Sequence, residues 1–287
     1  MNHVGINITG NTLQFVEVVE KNKIYYLENV DEEQFSKPLD FQTDDFTNVL
    51  QSAFNNLIDR NEIKSDKVSI ALPIDLFRIF SFPIESQLSK GDLQEQIEWE
   101  FSVLFPTLSF KQHIIRQKKI SKGLYSYPEI LVIAIDQNPA REIYNFLLKN
   151  DLVLQFIDNA HFASDLLIKR NNTISVYVSN NALSFCSYKN NELTGYRKFT
   201  ADDNSKLIEY LNTLISKDEN DFDEFYIAGD TEFNQLQQEI EESLKVSFKN
   251  ISPFERIQLS ESFLQNSHYL NRAMLFSSAA GICFRVA

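Results

Sequence analysis

Glycine is scarce in this sequence. Only 7 of the 287 residues are glycine, about 2 % where about 7 % is usual. Loops that cradle phosphate groups depend on glycine, because the backbone N–H groups must come close to the anion. The low glycine content therefore argues against a full set of phosphate-binding loops.

Cysteine and long apolar runs are scarce as well. The two cysteines, Cys186 and Cys283, stand in apolar sequence, so we expect both to be buried and predict no disulfide framework. No run reaches the roughly 18 apolar residues of a membrane-spanning helix, and the start of the chain does not resemble a signal peptide. We therefore expect a cytoplasmic protein that reaches a membrane only through a partner.

Positive charge is in short supply. The 27 lysines and arginines are outnumbered by 40 aspartates and glutamates, which gives a formal charge of −13. This charge repels phosphate backbones and anionic lipids, so we predict no nucleic-acid binding and no direct membrane insertion. The best basic runs, Arg116 to Lys119 and Lys169 to Arg170, are interpreted as solvated surface.

The sequence also lacks motifs for metal binding or nucleophilic catalysis. The four histidines are scattered without ligand spacing, and no Gly-x-Ser-x-Gly elbow occurs. The acidic pairs Asp202-Asp203 and Asp221 with Asp223 are interpreted as solvated loops. We predict no metal site and no catalytic residue.

What the chain has is apolar patterning. Hydrophobic residues make up 43 % of it, enough for a sizeable core. Each half begins with a predicted β-hairpin: Val4 to Ile8 alternate before a turn at Gly10, and Ile174 to Val178 alternate before a turn at residues 179–181. The two hairpins indicate a duplicated architecture.

The first hairpin is followed by a third apolar stretch, an acidic loop from Asp31 to Asp45 and a predicted helix. That helix covers Phe46 to Ile58 with Thr43 as its N-cap. The apolar run Val68 to Leu72, ended by Pro73, predicts a buried strand.

Residues 76–157 predict a β-α-β-β-α-β unit. Ser89 and Asp92 form a capping box for its first helix, and Asn138-Pro139 supply the N-cap and first-turn proline of its second. A strand over Leu152 to Ile157 closes the unit. The following half, after a short helix from Ala160, contains further predicted elements at Leu207 to Ile215 (helix), Phe225 to Ala228 (strand), Phe233 to Leu244 (helix) and Val246 to Phe248 (strand), and then a terminal helix.

Short motifs in this order carry a resemblance to a known family. They are Val4-Gly5-Ile6-Asn7-Ile8-Thr9-Gly10, Ile70-Ala71-Leu72-Pro73, Ile97-Glu98-Trp99-Glu100, Ile157-Asp158-Asn159-Ala160-His161, Ser252-Pro253-Phe254 and Ala279-Ala280-Gly281-Ile282. Their order resembles the actin-like ATPase (ASKHA) superfamily, in particular the PilM-like type IV pilus assembly proteins, with FtsA-type proteins more distant. The resemblance implies an α/β, two-lobed fold, with residues 1–75 and 158–171 as first lobe, 76–157 as an inserted 1C-like subdomain and 172–287 as a shortened second lobe.

The nucleotide motifs of that superfamily are degenerate here. The family pattern Gly-Ile-Asp-Ile-Gly-Ser places an aspartate and a glycine where this chain has Asn7 and Thr9, although Gly10 could substitute by a one-residue shift. The second hairpin has Tyr177 and Ser179 in place of an aspartate and a glycine, and a single glycine, Gly229, remains of a Gly-Gly pair. We therefore expect no ATP or magnesium and no ATPase activity.

The resemblance also implies a partner. In PilM-type proteins the cytosolic peptide of a PilN-like inner-membrane protein docks between the first lobe and the inserted subdomain. The aromatic and basic residues that could bind such a peptide here are Phe77, Arg78, Trp99 and Phe105. Trp99 is favoured because it lies off the apolar face of its helix.

Three functions fit these observations. The first is a non-catalytic scaffold of a type IV pilus-like or related secretion assembly, a role compatible with an oligomer. The second is an ATP-dependent switch with shifted motifs that uses Asn7, Gly10, Ser179 and Gly229. The third, an FtsA-like filament former, is disfavoured because no basic amphipathic helix stands at the end of this sequence.

Overall fold

The computed structural model describes residues 2–43, 45–84, 88–120, 127–200, 203–215, 222–231, 233–264 and 267–285. Asp44, Asp202 and Asp221, on which parts of the predictions fall, lie outside the described residues. Within the described ranges, strands form two five-stranded sheets and one three-stranded sheet, with helices packed on them.

The strands and helices are numbered in the order in which they occur in the chain. The strands are β1 (Asn2–Ile8), β2 (Thr12–Lys21), β3 (Ile24–Gln34), β4 (Lys67–Leu72), β5 (Phe77–Pro83), β6 (His113–Ile120), β7 (Glu129–Asp136), β8 (Val153–Asn159), β9 (Thr173–Val178), β10 (Ala182–Lys189), β11 (Glu192–Thr200), β12 (Glu224–Gly229) and β13 (Lys249–Asn250). The α-helices are α1 (Phe46–Arg60), α2 (Lys90–Leu104), α3 (Gln137–Lys149), α4 (Ala160–Ser164), α5 (Asn204–Ile215), α6 (Asn234–Leu244), α7 (Glu261–Leu264), α8 (Ser267–Asn271) and α9 (Ser277–Cys283). Short 3₁₀ helices cover Ile74–Leu76, Phe110–Gln112, Asp165–Leu167, Pro253–Glu255 and Ala273–Phe276.

The first sheet has the strand order β3-β2-β1-β4-β8. The hairpin strands β1 and β2 are antiparallel, whereas β1, β4 and β8 run parallel. Alternate residues of the hairpin enter two different cores, as a period of two requires: Ile6 and Phe15 pack with α1 and α3, while Val16 and Val18 pack with α9.

The second sheet repeats this topology with the order β11-β10-β9-β12-β13. Its hairpin is also antiparallel and also continues into a parallel neighbour, β12. The helices α5 and α6 cover one face through Leu207, Leu211 and Ile240, all of which are buried. The duplication and the two-lobed α/β class predicted from the sequence are confirmed.

The third sheet, with the order β5-β7-β6, lies in the inserted segment. One face packs on α2 through Ile97, and the other packs on β10 and β11 through Leu131. The predicted element order β-α-β-β-α-β is observed, but the last strand, β8, pairs in parallel with β4 and extends the first sheet. That pairing follows from α3, whose residues Ile143 and Phe146 pack in the first-sheet core and bring the chain back beside β4.

Element ends differ from the predictions in a few places. The helix α1 is preceded by Asp45 rather than capped by Thr43, whose carbonyl instead accepts the N–H of Phe46. The side chain of Asp136, not Asn138, caps α3, because it accepts the N–H of Asn138 and leaves Pro139 in the first turn. The capping box of Ser89 is confirmed.

Two further elements differ. The strand predicted at Val246 to Phe248 is displaced to β13, because only Lys249 and Asn250 reach hydrogen-bonding register with β12. The strand β3 continues to Gln34 and so includes acidic residues that the sequence assigned to a loop, since they pair with β2. The carboxylate of Asp31 there accepts bonds from Arg60 and Tyr269.

Glycine in this fold serves close packing of α9. A Cβ atom at Gly5 of β1 would lie 1.9 Å from the carbonyl oxygen of Ala279, and one at Gly281 would lie 2.0 Å from that of Ala163. Both cysteines are buried, as predicted. Among the described residues, no helix has the length and hydropathy needed to cross a bilayer.

Candidate functional site

The turns of the two hairpins face each other across a central cleft. The cavity between them has a volume of about 270 Å³ and is lined by Gly10, Asn11, Pro38, Leu39, Phe41, Pro73, Asp75, Ser179, Asn180, Asn181 and Asp230. The structure therefore brings Gly10 and Ser179, which are 169 positions apart in the chain, into one site. This is the position at which the sequence resemblance implied a nucleotide.

The hydroxyl group of Thr9 closes the first turn. Its Oγ1 atom accepts hydrogen bonds from the backbone N–H groups of Asn11, at 3.1 Å, and Thr12, at 2.8 Å. A loop that cradles phosphate needs such N–H groups to be free to point at the anion. In this turn they are already bonded within the protein.

The second turn is closed in the same way. The Oγ atom of Ser179 accepts the N–H of Ala182 at 3.2 Å and lies 2.9 Å from its carbonyl oxygen. The carbonyl oxygen of Gly10 also has a hydrogen-bond partner within the protein, because it accepts the N–H of Leu39 at 2.7 Å. Hydroxyl residues at the two former glycine positions thus satisfy the turns internally.

The two residues at the former aspartate positions do not line the cleft. Asn7 is 1 % exposed and donates its amide to Gln14 at 3.0 Å. Tyr177 is fully buried, with its hydroxyl 3.0 Å from Ser278 of α9 and its ring stacked on His161. The resemblance implied an aspartate at this position, and the structure has a buried aromatic ring there.

Gly229, the remaining glycine of the predicted Gly-Gly pair, is required by close packing at the end of β12. A Cβ atom at Gly229 would lie 2.4 Å from the carbonyl oxygen of Val178 and 3.0 Å from the ring of Phe233. The next residue, Asp230, projects a carboxyl group into the cleft wall, where burial and the charge of Asp75 raise its pKa to about 7.

The electrostatics of the cleft oppose a polyphosphate. Asp75 and Asp230 both line it, and the described residues of its wall include no lysine or arginine. Ionisation of Asp230 beside a triphosphate would place like charges together in a poorly solvated space. The lining of the cleft thus combines two carboxyl groups with the asparagines Asn11, Asn180 and Asn181.

A larger groove lies between the insert and the second sheet, and not between the first lobe and the insert, where the resemblance implied that a partner peptide docks. Its volume is about 420 Å³, and its lining residues are Arg78, Ile79, Phe80, Ser81, Phe105, Glu129, Thr194, Gly195, Tyr196, Arg197, Lys198 and Tyr210. The strands β5 and β11 form its two sides, and each is the edge strand of its sheet. One wall is aromatic, because Phe105 packs on Phe80 with ring centroids 5.9 Å apart.

The four residues predicted to bind a partner are distributed unevenly. Arg78 and Phe105 line the groove. Phe77 is 3 % exposed and belongs to the first-sheet core, although its carbonyl oxygen accepts a bond from Lys198 at 3.1 Å. Trp99 projects from α2 with 61 % of its surface exposed and does not line the groove.

Strand β11, which supplies the facing side of the groove, was missed by the sequence analysis. A signal for it exists in Asn190-Asn191, which have φ angles of 52° and 64° and join β10 to β11. Consecutive asparagines favour such a left-handed two-residue hairpin turn. Arg197 and Lys198 lie on β11, so a prediction of that strand from the sequence would have added these two basic residues to the candidate site.

No protein-family model matches this chain, and no curated protein matches it. Solved structures do. The chain is similar to a structure of a PilM–PilN type IV pilus biogenesis complex, with 14 % identity, a TM-score of 0.75 and coverage of 99 % of this chain and 98 % of the other.

Two further structures extend the comparison. A Bacteroides thetaiotaomicron protein with an actin-like ATPase fold and unknown function has 15 % identity and a TM-score of 0.54, over 98 % of this chain and 95 % of its own. The cytoplasmic domain of EpsL, an inner-membrane component of the type II secretion system of Vibrio cholerae, has 9 % identity and a TM-score of 0.50, over 80 % and 82 %. At these identities the similarity establishes the fold: the chain has a PilM-like form of the actin-like ATPase fold.

Proposed function

We propose that this chain is a non-catalytic cytoplasmic adaptor in a type IV pilus-like or secretion assembly. In this role it holds the cytosolic segment of a PilN-like inner-membrane protein and is peripheral to the membrane only through that partner. The single observation that carries the non-catalytic part is the internal closure of both hairpin turns by Thr9 and Ser179.

The comparisons support the partner class. A similar structure over almost the whole chain is that of a PilM–PilN complex, and another is the cytoplasmic domain of an inner-membrane secretion component. The first is a complex with PilN, and the second is described as a component of the inner membrane. A membrane protein is therefore the partner to look for.

The groove between β5 and β11 suits an extended segment. Edge strands present unpaired backbone groups to which an extended peptide can add, and Phe80 and Phe105 offer an apolar surface for its side chains. Arg78 and Arg197 at the same groove favour a segment with an acidic side chain or exposed carbonyl groups.

Binding of a synthetic peptide tests this proposal. The peptide would be the cytosolic N-terminal segment of a single-span membrane protein encoded beside this chain, labelled for fluorescence anisotropy. We expect Phe105→Ala to weaken its binding at least tenfold, because truncation empties the aromatic wall. Val103→Ala is the matched control, since Val103 lies in the last turn of α2, two residues before Phe105, is 56 % exposed and does not line the groove.

Trp99→Ala belongs in the same series. A loss of affinity with this variant would show that the bound segment continues from the groove onto α2. Equal affinity of the unmodified protein and of Phe105→Ala would refute the groove as the docking site.

Calorimetry with magnesium and ATP tests the non-catalytic part separately. We expect no heat and no thermal shift at millimolar nucleotide, because the turn N–H groups are occupied and the cleft carries two carboxyl groups. The alternative, an ATP-binding switch, is favoured by one observation, the convergence of Gly10 and Ser179 in one cleft. A saturable rise of the melting temperature with ATP would favour the ATP-binding switch. It would refute the proposal that this chain acts without binding nucleotide.

A further inference from the structure

The two basic runs of the sequence, 116–119 and 169–170, converge on one pocket in the structure. The pocket has a volume of about 250 Å³ and is lined by Arg116, Gln117, Lys118, Leu131, Ile133, Asp158, Phe162, Arg170, Tyr188, Leu193 and Arg285. It lies on the β6 side of the insert, whereas the peptide groove lies along β5. Four cations at one pocket contrast with a chain whose formal charge is −13.

The positions of these cations follow from the fold. Arg116 and Lys118 are two residues apart on β6 and therefore project to the same face of the sheet. Their strand pairs with β7 opposite Ile133 and Leu131, whose side chains form part of the pocket wall. The guanidinium of Arg170 approaches from the first lobe.

Aromatic and apolar side chains complete the wall. The guanidinium carbon of Arg170 lies 5.7 Å from the ring centroid of Tyr188. Phe162 of α4 and Leu193 of β11 lie on the same pocket. Three parts of the fold meet here, namely the insert, the first lobe and the second sheet.

The positive charge of the pocket is largely uncompensated. Its one lining carboxylate, Asp158, forms an ion pair with Arg285 at 3.0 Å. Within the described ranges, no carboxylate lies within ion-pair distance of Arg116, Lys118 or Arg170.

The surrounding charges influence the titration of both kinds of group. Desolvation, together with the charges of Arg170, Arg285 and Arg116, lowers the pKa of Lys118, against the opposing effect of Glu192. Burial raises the pKa of Asp158, although Arg285 opposes this shift. The lowered pKa of Lys118 agrees with the crowding of positive charge seen in the geometry, and an anion beside these cations would favour the charged form of Lys118.

We propose that this pocket binds a small organic phosphate, with the phosphate group held by Arg116, Lys118 and Arg170 and the organic part against Phe162 and Leu193. Three cations without a carboxylate partner match a dianion better than a single carboxylate. The volume of the pocket suits a small molecule and is too confined for a folded surface. The ligand would connect the insert with both lobes.

Titration calorimetry with inorganic phosphate and with phenyl phosphate tests the proposal. We expect both to bind and phenyl phosphate to bind more tightly than inorganic phosphate, because its ring can pack on the apolar wall. The variant Arg116→Gln with Lys118→Gln should lose at least tenfold in affinity for each probe. Arg141→Gln is the matched control, since Arg141 is exposed on α3 and lines neither this pocket nor the groove.

We expect the double variant to fold, because Arg116 and Lys118 are exposed on an edge strand. Circular dichroism verifies this. Equal affinity in the double variant and in Arg141→Gln, or no binding of any phosphate probe at millimolar concentration, would overturn the proposal. Binding of a short acidic peptide at this pocket with exclusion of phenyl phosphate would also overturn it. The anisotropy assay of the peptide groove is independent, so the two proposals can fail separately.

Discussion

The Oγ1 atom of Thr9 lies 2.8 Å from the backbone nitrogen of Thr12 and accepts its hydrogen bond. The same oxygen accepts the N–H of Asn11, so one side chain satisfies two turn amides. Thr9 is itself 3 % exposed, which gives these bonds a poorly solvated setting. The first turn is therefore held in a closed form by a residue that replaces a glycine of the ATPase pattern.

Replacement of Thr9 by alanine should destabilise the protein. Loss of the hydroxyl leaves two turn N–H groups without their partner, which costs about 1 to 2 kcal/mol in the free energy of unfolding. Urea denaturation followed by circular dichroism measures the change. Thr213→Ala is the control, because Thr213 is an exposed helix residue whose hydroxyl donates to the carbonyl oxygen of Glu209, and its replacement should change stability by less than about 0.5 kcal/mol. Equal effects of the two substitutions would contradict this account of the turn.

Asp230 should make the protein less stable at neutral than at mildly acidic pH. Burial and Asp75 raise its pKa from 3.8 to about 7. Because the folded state holds the proton more tightly than the unfolded chain, its favourable contribution is lost as the pH rises from about 4 through about 7. Asp230→Asn removes this dependence and should stabilise the protein at pH 8 by up to about 4 kcal/mol.

Melting temperatures of the variant and the unmodified chain between pH 4 and pH 8 measure this difference. Asp59→Asn on the exposed side of α1 provides the control and should leave the pH profile unchanged. A constant offset between the Asp230→Asn and unmodified curves across the whole range would show that ionisation of Asp230 is not the cause.

Gly5 and Gly10 should respond in opposite ways to alanine. A Cβ atom at Gly5 would lie 1.9 Å from the carbonyl oxygen of Ala279, so β1 and α9 must separate. We expect Gly5→Ala to cost more than about 3 kcal/mol. A Cβ atom at Gly10 meets nothing within 4 Å and its φ is not positive, so Gly10→Ala should be neutral or stabilise by up to about 1 kcal/mol.

Thermal unfolding of the two glycine variants measures both effects in one experiment. Since each variant adds the same methyl group, the difference between them isolates the helix contact of Gly5. Similar melting temperatures would indicate that α9 can move away from β1 without loss.

His3 should make the protein sensitive to acid. Burial, and to a smaller extent Lys67, lowers the pKa of His3 from 6.5 to about 4, where its ring bonds Ser69 in the neutral form. The unfolded chain takes up this proton more readily, so stability falls as the pH decreases from about 6.5 to about 4. His3→Gln should flatten this part of the profile, as followed by denaturant midpoints between about pH 4 and pH 7, and an unchanged profile in this variant would contradict this account of His3.

Much of the fold could be predicted from the sequence, because apolar periodicity reports which side of an element is buried. The strand β4 and the helix α1 were predicted within a few residues for this reason. The pairing of β8 with β4 could not be predicted in the same way, since the pattern of Val153 to Asn159 fits either sheet and α3 decides between them.

The candidate sites also differ in how far the sequence alone could predict them. The identities of Asn7 and Tyr177 predict a degenerate nucleotide site, because magnesium and phosphate binding depend on residue type, and the nucleotide titration tests that prediction. Only the side of the peptide groove that contains Arg78 and Phe105 could be predicted from the sequence. The other side contains Lys198, which is 120 positions from Arg78 in the sequence and meets it only through tertiary packing. The phosphate pocket was hidden for the same reason, and its basic runs were interpreted as separate patches of surface.

The helix α9 has a consequence for motion. It packs against β1 of the first sheet at Gly5, against α4 at Gly281, and against the second sheet where Ser278 meets Tyr177. One rigid segment therefore touches both halves of the duplicated fold with little room for adjustment. Opening and closing of the two halves about the cleft would require this segment to slide against the backbone atoms that Gly5 and Gly281 contact.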